Sequence, residues 1–140
     1  MGKEKLIFFN KTGKNLKPFL LEAKKTASKI LKNFKGPVSF IFVNSEEIKK
    51  LNKIHLGKNR TTDVITFNLK SLNTEIGEAY ICVDAAEKQA EFYGHHLYCE
   101  LMILTVHACL HLLGWKDSTV KLRERMNRKT VLCLKGDADF

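Results

Sequence analysis

Two histidines stand four residues apart in the segment His107-Ala-Cys-Leu-His111-Leu-Leu-Gly114-Trp115-Lys116-Asp117. On a helix, residues i and i+4 lie about 6 Å apart along the axis and about 40° apart around it. Their imidazoles can therefore converge on one cation, with zinc–nitrogen distances of about 2.0–2.1 Å. A helix that continued past the second histidine would carry every later ligand away. Gly114 supplies the reversal, because glycine takes positive φ without steric cost. Asp117 then falls where a third ligand can swing back, and carboxylates bind zinc at about 2.0–2.2 Å. For an arbitrary H-x3-H pair, chance placement is the commoner explanation. The glycine at the turn and the ligand-capable residue beyond it favour a metal site made of His107, His111 and Asp117. Zinc peptidases of the H-E-x-x-H type carry a glutamate as general base after the first histidine. Ala108 occupies that position here and argues against peptidase chemistry.

The elements that must position this segment are legible in the periodicity. The long, nearly apolar run from about His96 to Leu113 predicts a helix ending at Gly114. Ser118 or Thr119 starts a last, basic helix containing Leu122, Met126 and Val131. Earlier, Lys5–Asn10 reads as a first strand. A helix from about Asn15 to Asn33 follows, with an apolar stripe of Leu20, Leu21, Ala23, Ala27, Ile30 and Leu31. Gly36-Pro37 ends it, and Val38–Val43 is a second strand of buried character. Asn44 or Ser45 caps a short helix through Leu51 and Ile54, with Glu46 and Glu47 in its favourable first turn. Thr62–Leu69 alternates as a third strand, and Ile76–Val83 is a fourth. Asp84 caps a helix with Ala85, Ala86, Ala90 and Phe92, ended near Gly94. The expected fold is α+β: residues 1–140 as one domain, a mixed four-stranded sheet packed by about five helices. The metal site closes the end of the long helix.

The chain has 140 residues, 44% of them hydrophobic types and 28% charged. That suits one domain with a buried core and excludes intrinsic disorder. Lysine and arginine number 24 against 15 acids, a net charge of +9. Residues 3–35 hold ten lysines against Glu4 and Glu22, and residues 121–129 hold five basic residues against Glu124. A solvated surface explains any single lysine, but the set together with the metal motif favours a polyanionic partner such as RNA. Leu97 to Leu113, broken by Glu100, His107 and His111, falls short of the roughly 20 residues of a membrane span. Leu6–Phe9 is too short for a signal-peptide core, and Leu6 stands where a myristoylation motif needs Ser or Thr. The four cysteines (82, 99, 109 and 133) have no CxxC spacing, sit in apolar contexts, and read as reduced thiols. The expectation is a cytoplasmic protein without membrane attachment. No heptad pattern marks an oligomer.

The chain resembles the YbeY family of bacterial rRNA-maturation endoribonucleases, whose signature is approximately H-G-x-x-H-L-x-G-Y-D-H. His107, Leu110-His111-Leu112, Gly114 and the aromatic Trp115 match it. A second block, roughly L-N-x-x-Y-R-G-K-D-x-x-T-D-V-L-S-F, matches Leu51-Asn52, Gly57-Lys58, Thr62-Asp63-Val64 and Phe67. The family's Gly-Asp-Ile strand corresponds to Gly77-Glu78-Ala79. The likeness runs from about Val38 to Met126.

The resemblance implies an α+β fold, one Zn2+ per chain, and single-strand-specific cleavage of rRNA or its precursor in ribosome maturation and quality control. Ribosomal particles are the implied partners. Zinc would polarise a phosphoryl oxygen or activate water, and basic side chains would position the backbone. Three departures fall on important positions. Asp117 replaces the family's third histidine, giving a His2Asp site whose extra negative charge leaves a bound water less acidic. Leu56 replaces the arginine of the Y-R-G-K block and cannot grip phosphate through paired hydrogen bonds. Lys58 and Arg60, on the same loop, are the candidates to take over RNA contact. Ala108 replaces the glycine after the first histidine. His55, where the family has tyrosine, suits packing or stacking, and His95-His96 reads as a helix start. The competing readings are a non-catalytic ribosome- or RNA-binding protein with a degenerate metal site and, more distantly, a zinc hydrolase of another substrate.

Overall fold

The computed structural model describes residues 5–136. Lys3 and Glu4, which entered the charge count above, lie outside the described residues. The order of elements is β1 (Leu6–Asn10), α1 (Lys17–Ile30), β2 (Val38–Val43), α2 (Ser45–Leu56), β3 (Val64–Lys70), β4 (Glu75–Cys82), α3 (Val83–Tyr93), α4 (Leu97–Leu112) and α5 (Val120–Lys135). The strands form one sheet in the order β1-β2-β4-β3, parallel except for β3, which runs antiparallel to β4. The expected mixed sheet and five helices are present.

Strand parity divides the core in two. Val38, Phe40 and Phe42 of β2, with Ala79 and Ile81 of β4, face a large cluster built with α1, α4 and α5. The alternate residues Val43 and Cys82 join Ile48 of α2 and Ile65 of β3 in a smaller cluster on the other face. Helix α4 runs through the large cluster, and its apolar residues go nearly all round because neighbours surround it. Its buried Thr105 returns its hydroxyl to Leu101 O at 2.7 Å, so no donor is stranded.

Several boundaries and caps differ from the sequence reading. The first helix spans Lys17–Ile30 and buries Phe19, Ala23, Ala27 and Ile30, while Leu21 turns to solvent. Cys82, not Asp84, caps α3, its Sγ accepting from Ala85 N. Asp84 instead accepts from Ser45 N at 2.7 Å and ties the starts of α2 and α3 together. Asn44 caps α2, His96 caps α4 and Thr119 caps α5, each through its side chain. Phe92 of α3 and Val131 of α5 are exposed, and so is Cys99 of α4. Among the described residues, no helix is long and apolar enough to cross a membrane.

Candidate metal centre and RNA-cleaving site

The end of α4 is fixed by contacts that the sequence encodes locally. Trp115 N donates to Leu110 O and Gly114 N to His111 O, both at 2.9 Å, a helix-ending pair that needs a left-handed residue between them. Gly114 supplies it at φ +99°. From the sheet, Asn68 Nδ2 of β3 donates to Leu112 O at 3.0 Å, satisfying an orphan carbonyl of the last turn. Gly77 of β4 lets Leu112 approach closely, since a Cβ there would meet the Leu112 and Val38 methyls at 3.2 Å. The helix end is thereby held over β3 and β4.

The same turn orients His111. Its Nδ1 lies 3.1 Å from Trp115 O, and a carbonyl only accepts, so Nδ1–H donates and Nε2 carries the lone pair of the neutral ring. Asp117 Oδ2 faces Nε2 at 3.4 Å. Two acceptors meet favourably there only around a shared proton or cation. Two ligands of one tetrahedral zinc, each about 2.0–2.2 Å from it, sit about 3.4 Å apart, so the spacing fits adjacent ligands. The Nδ1–carbonyl bond is also the outer support that metal-binding histidines require.

His107 lies one turn earlier on the same face and lines the same cavity of about 360 Å3 as His111 and Asp117. Burial pushes its pKa below the ordinary 6.5, against the opposing pull of the Asp63 and Asp117 carboxylates. A ring kept neutral retains the lone pair that ligation needs. Among the described residues no three His, Cys, Asp or Glu side chains are already drawn to coordination distance. His111 and Asp117 are in contact, and His107 lines the same cavity. Ala108 is fully buried and carries no group that could act as a general base.

The remaining lining comes from the second sequence block. Thr62 and Asp63, with Val64 and Thr66 of β3, form one wall, and Leu56 at the end of α2 forms another. Asp63 is the residue that the motif reading left without a role. Its sequence signal was the Thr62-Asp63-Val64 match to the family block, within the segment that reads as the third strand. Lys58 and Arg60 are exposed on the following loop and do not line the cavity. Buried Asn52 pins that loop, donating to Arg60 O at 2.9 Å and accepting from Lys58 N at 3.2 Å. His55 packs its ring against Phe67, centroids 5.0 Å apart. His96 caps α4 through Nδ1, while His95 pairs with Glu100, away from His111 and Asp117.

This geometry meets its relatives at the level of the whole chain. The sequence profile of the family Endoribonuclease YbeY matches residues 4–136. The chain belongs to the endoribonuclease YbeY family. Endoribonuclease YbeY of Bacillus licheniformis is 42% identical over 104 residues, covering 66% of each chain. The protein of the same name from Elusimicrobium minutum is 38% identical over 101 residues, covering 69% of this chain and 71% of its own. The chain thus spans about two thirds of the length of the curated relatives it matches. The solution structure of TM1509 from Thermotoga maritima superposes with a TM-score of 0.62 at 27% identity, covering 94% of this chain and 90% of that one. Membership places this chain among RNA-cleaving hydrolases, and the YbeY fold is the α+β arrangement described above.

Proposed function

We propose that this protein is a metal-dependent endoribonuclease that cuts single-stranded rRNA or its precursor, in the cytoplasm and on ribosomal particles. One Zn2+ per chain is held by His107, His111 and Asp117. The observation that carries this reading is the His111 ring, fixed by Trp115 O on one side and facing Asp117 on the other, in a cavity shared with His107. When bound, a divalent cation supplies Lewis acidity toward a phosphate oxygen. The chain's own residues do the rest. Trp115 O keeps the His111 tautomer, burial keeps His107 neutral, and Asp63 offers an acceptor on the opposite wall. The lysine-rich α1 and basic α5 attract the backbone without reading sequence, and Lys58 and Arg60 flank the cavity as exposed cations. Products ending in 2′,3′-cyclic phosphate would identify the ribose 2′-OH as the attacking group; products without it would identify water.

One observation favours the binding-only reading: Leu56 lines the cavity where the family block carries arginine. Purified protein assayed on single-stranded rRNA, with and without chelator and beside His107→Ala and His111→Ala, separates the two. The nuclease reading expects cleavage that all three treatments abolish. Cleavage that survives them refutes it, and RNA binding with no cleavage transfers support to the binding protein.

A further inference from the structure

A second cavity, of about 510 Å3, adjoins the first and shares Asp63 and His107 with it. Gln89 Nε2 donates to Asp63 Oδ2 at 3.4 Å, so this carboxylate stands on the divide, steadied from the second cavity's side. Glu100 lines the second cavity while only 4% exposed, in the first turn of the otherwise apolar α4. Its Oε2 lies 2.6 Å from His95 Nε2, and since a carboxylate only accepts, the ring donates. His95 occupies one of the carboxylate's several acceptor positions. A buried charged group is weak evidence for stability, because apolar side chains of similar volume usually serve a core as well or better. The rest of the wall sets apolar Ile103, Leu104 and Val131 beside the polar Asn127 and Thr130. At the rim Tyr93 is 66% exposed, its ring 6.0 Å from that of His95. A largely apolar slot, an exposed aromatic face and a buried carboxylate make a receptor for a flat, polar-edged ring.

We propose that this cavity is a nucleobase subsite, which takes one unstacked base of the RNA strand and reads its Watson–Crick edge with Glu100. The inference rests on the nuclease reading for its choice of occupant, because the shared walls place the subsite beside the cavity that would hold the scissile phosphate. Guanine offers two adjacent donors, N1–H and the 2-amino group, to a carboxylate. Uracil presents one N–H between two carbonyls that the carboxylate repels. Guanine is therefore the preferred occupant and uracil the least favoured. Tyr93 stacks on whichever base enters, and only an unpaired base can offer this edge.

The test uses the full chain and labelled single-stranded RNA hexamers UUUNUU, with N being G, C, A or U, in the presence of EDTA so that binding is read apart from cleavage. The guanine oligomer should bind about ten-fold more tightly than the all-uridine one. Glu100→Gln should bring the two within about two-fold, because the amide keeps the shape but confronts the base donors with one of its own. Val131→Trp, at a half-exposed position, fills the slot from α5 and should level all four affinities without disturbing the buried pair. Equal affinities in the unmodified protein, or a guanine preference that survives both substitutions, would overturn the proposal. Adding Zn2+ to the same mixtures separates the two readings. Selective binding without cleavage upholds the subsite and refutes the nuclease reading, and cleavage without base preference does the reverse.

Discussion

Replacing Leu56 with arginine should increase RNA cleavage. The position lies at the last residue of α2, 51% exposed, and lines the cavity with His107, His111 and Asp117. Little packing is lost there, and a cation in the last turn of a helix stabilises it by about 0.3–1 kcal/mol. A hydrogen bond to a charged partner contributes about 1.5–3 kcal/mol, and two parallel ones fix a phosphate's orientation as well. Half exposure admits water and salt, and Asp63 and Asp117 compete for the new guanidinium in the free protein. About 1 kcal/mol or slightly more should survive, a gain of about 5–10-fold in kcat/KM. The assay is steady-state cleavage of a single-stranded rRNA fragment at fixed zinc and low salt, with Leu56→Met as the uncharged control. A drop in KM would report ground-state grip, and a rise in kcat would report contact made in the transition state. A folded, zinc-loaded variant with unchanged or lower kcat/KM would refute the claim that this wall faces the phosphate.

Gly36→Ala should destabilise the fold by about 2–4 kcal/mol, since φ there is +106° and a Cβ would drive into the Glu75 carbonyl; a thermal melt within about 1 kcal/mol of the parent would contradict this. Burial lowers the His107 pKa, so the unfolded chain takes up its proton at higher pH than the folded one. Stability from this group is present above about pH 6.5 and lost as pH falls below it. Denaturant titrations in chelator from pH 7 to 5 should show a smaller loss for His107→Leu than for the parent, and equal slopes would rule the effect out. Alkylation of the native protein should label Cys99 first, because Cys82, Cys109 and Cys133 are buried and burial pushes the Cys109 thiol well above its ordinary pKa. Peptide mapping that finds Cys109 labelled as quickly would overturn the placement of α4.

Much of this arrangement is legible in the sequence. The helix–glycine–aspartate segment announced its own geometry because the i,i+4 spacing and the left-handed turn are local properties. The helices and strands followed from periodicity, with their ends displaced by one to a few residues where frayed turns compete with caps. What the sequence hid was non-local. Asp84 looks like a helix cap, and only the juxtaposition of α2 with α3 sends its carboxylate to Ser45. Asp63 acquires meaning when β3 is laid beside α4, and Glu100 when α3, α4 and α5 enclose it. His95 read as a helix start, whereas its ring partners a buried carboxylate five residues on. Lys58 and Arg60 adjoin the site in sequence, yet Asn52 pins their loop outside the cavity lining.

The central claim is that one cation binds where α4 ends, between His107, His111 and Asp117. Its most direct test is equilibrium zinc titration of metal-stripped protein, with bound metal counted by elemental analysis, for the parent and for Asp117→Ala. The account predicts one zinc per chain in the parent and at least about ten-fold weaker binding in Asp117→Ala, since a ligand is lost and even outer partners of such ligands contribute about 10–100-fold. No bound zinc in the parent, or the same stoichiometry and affinity after removal of the Asp117 carboxylate, would contradict it.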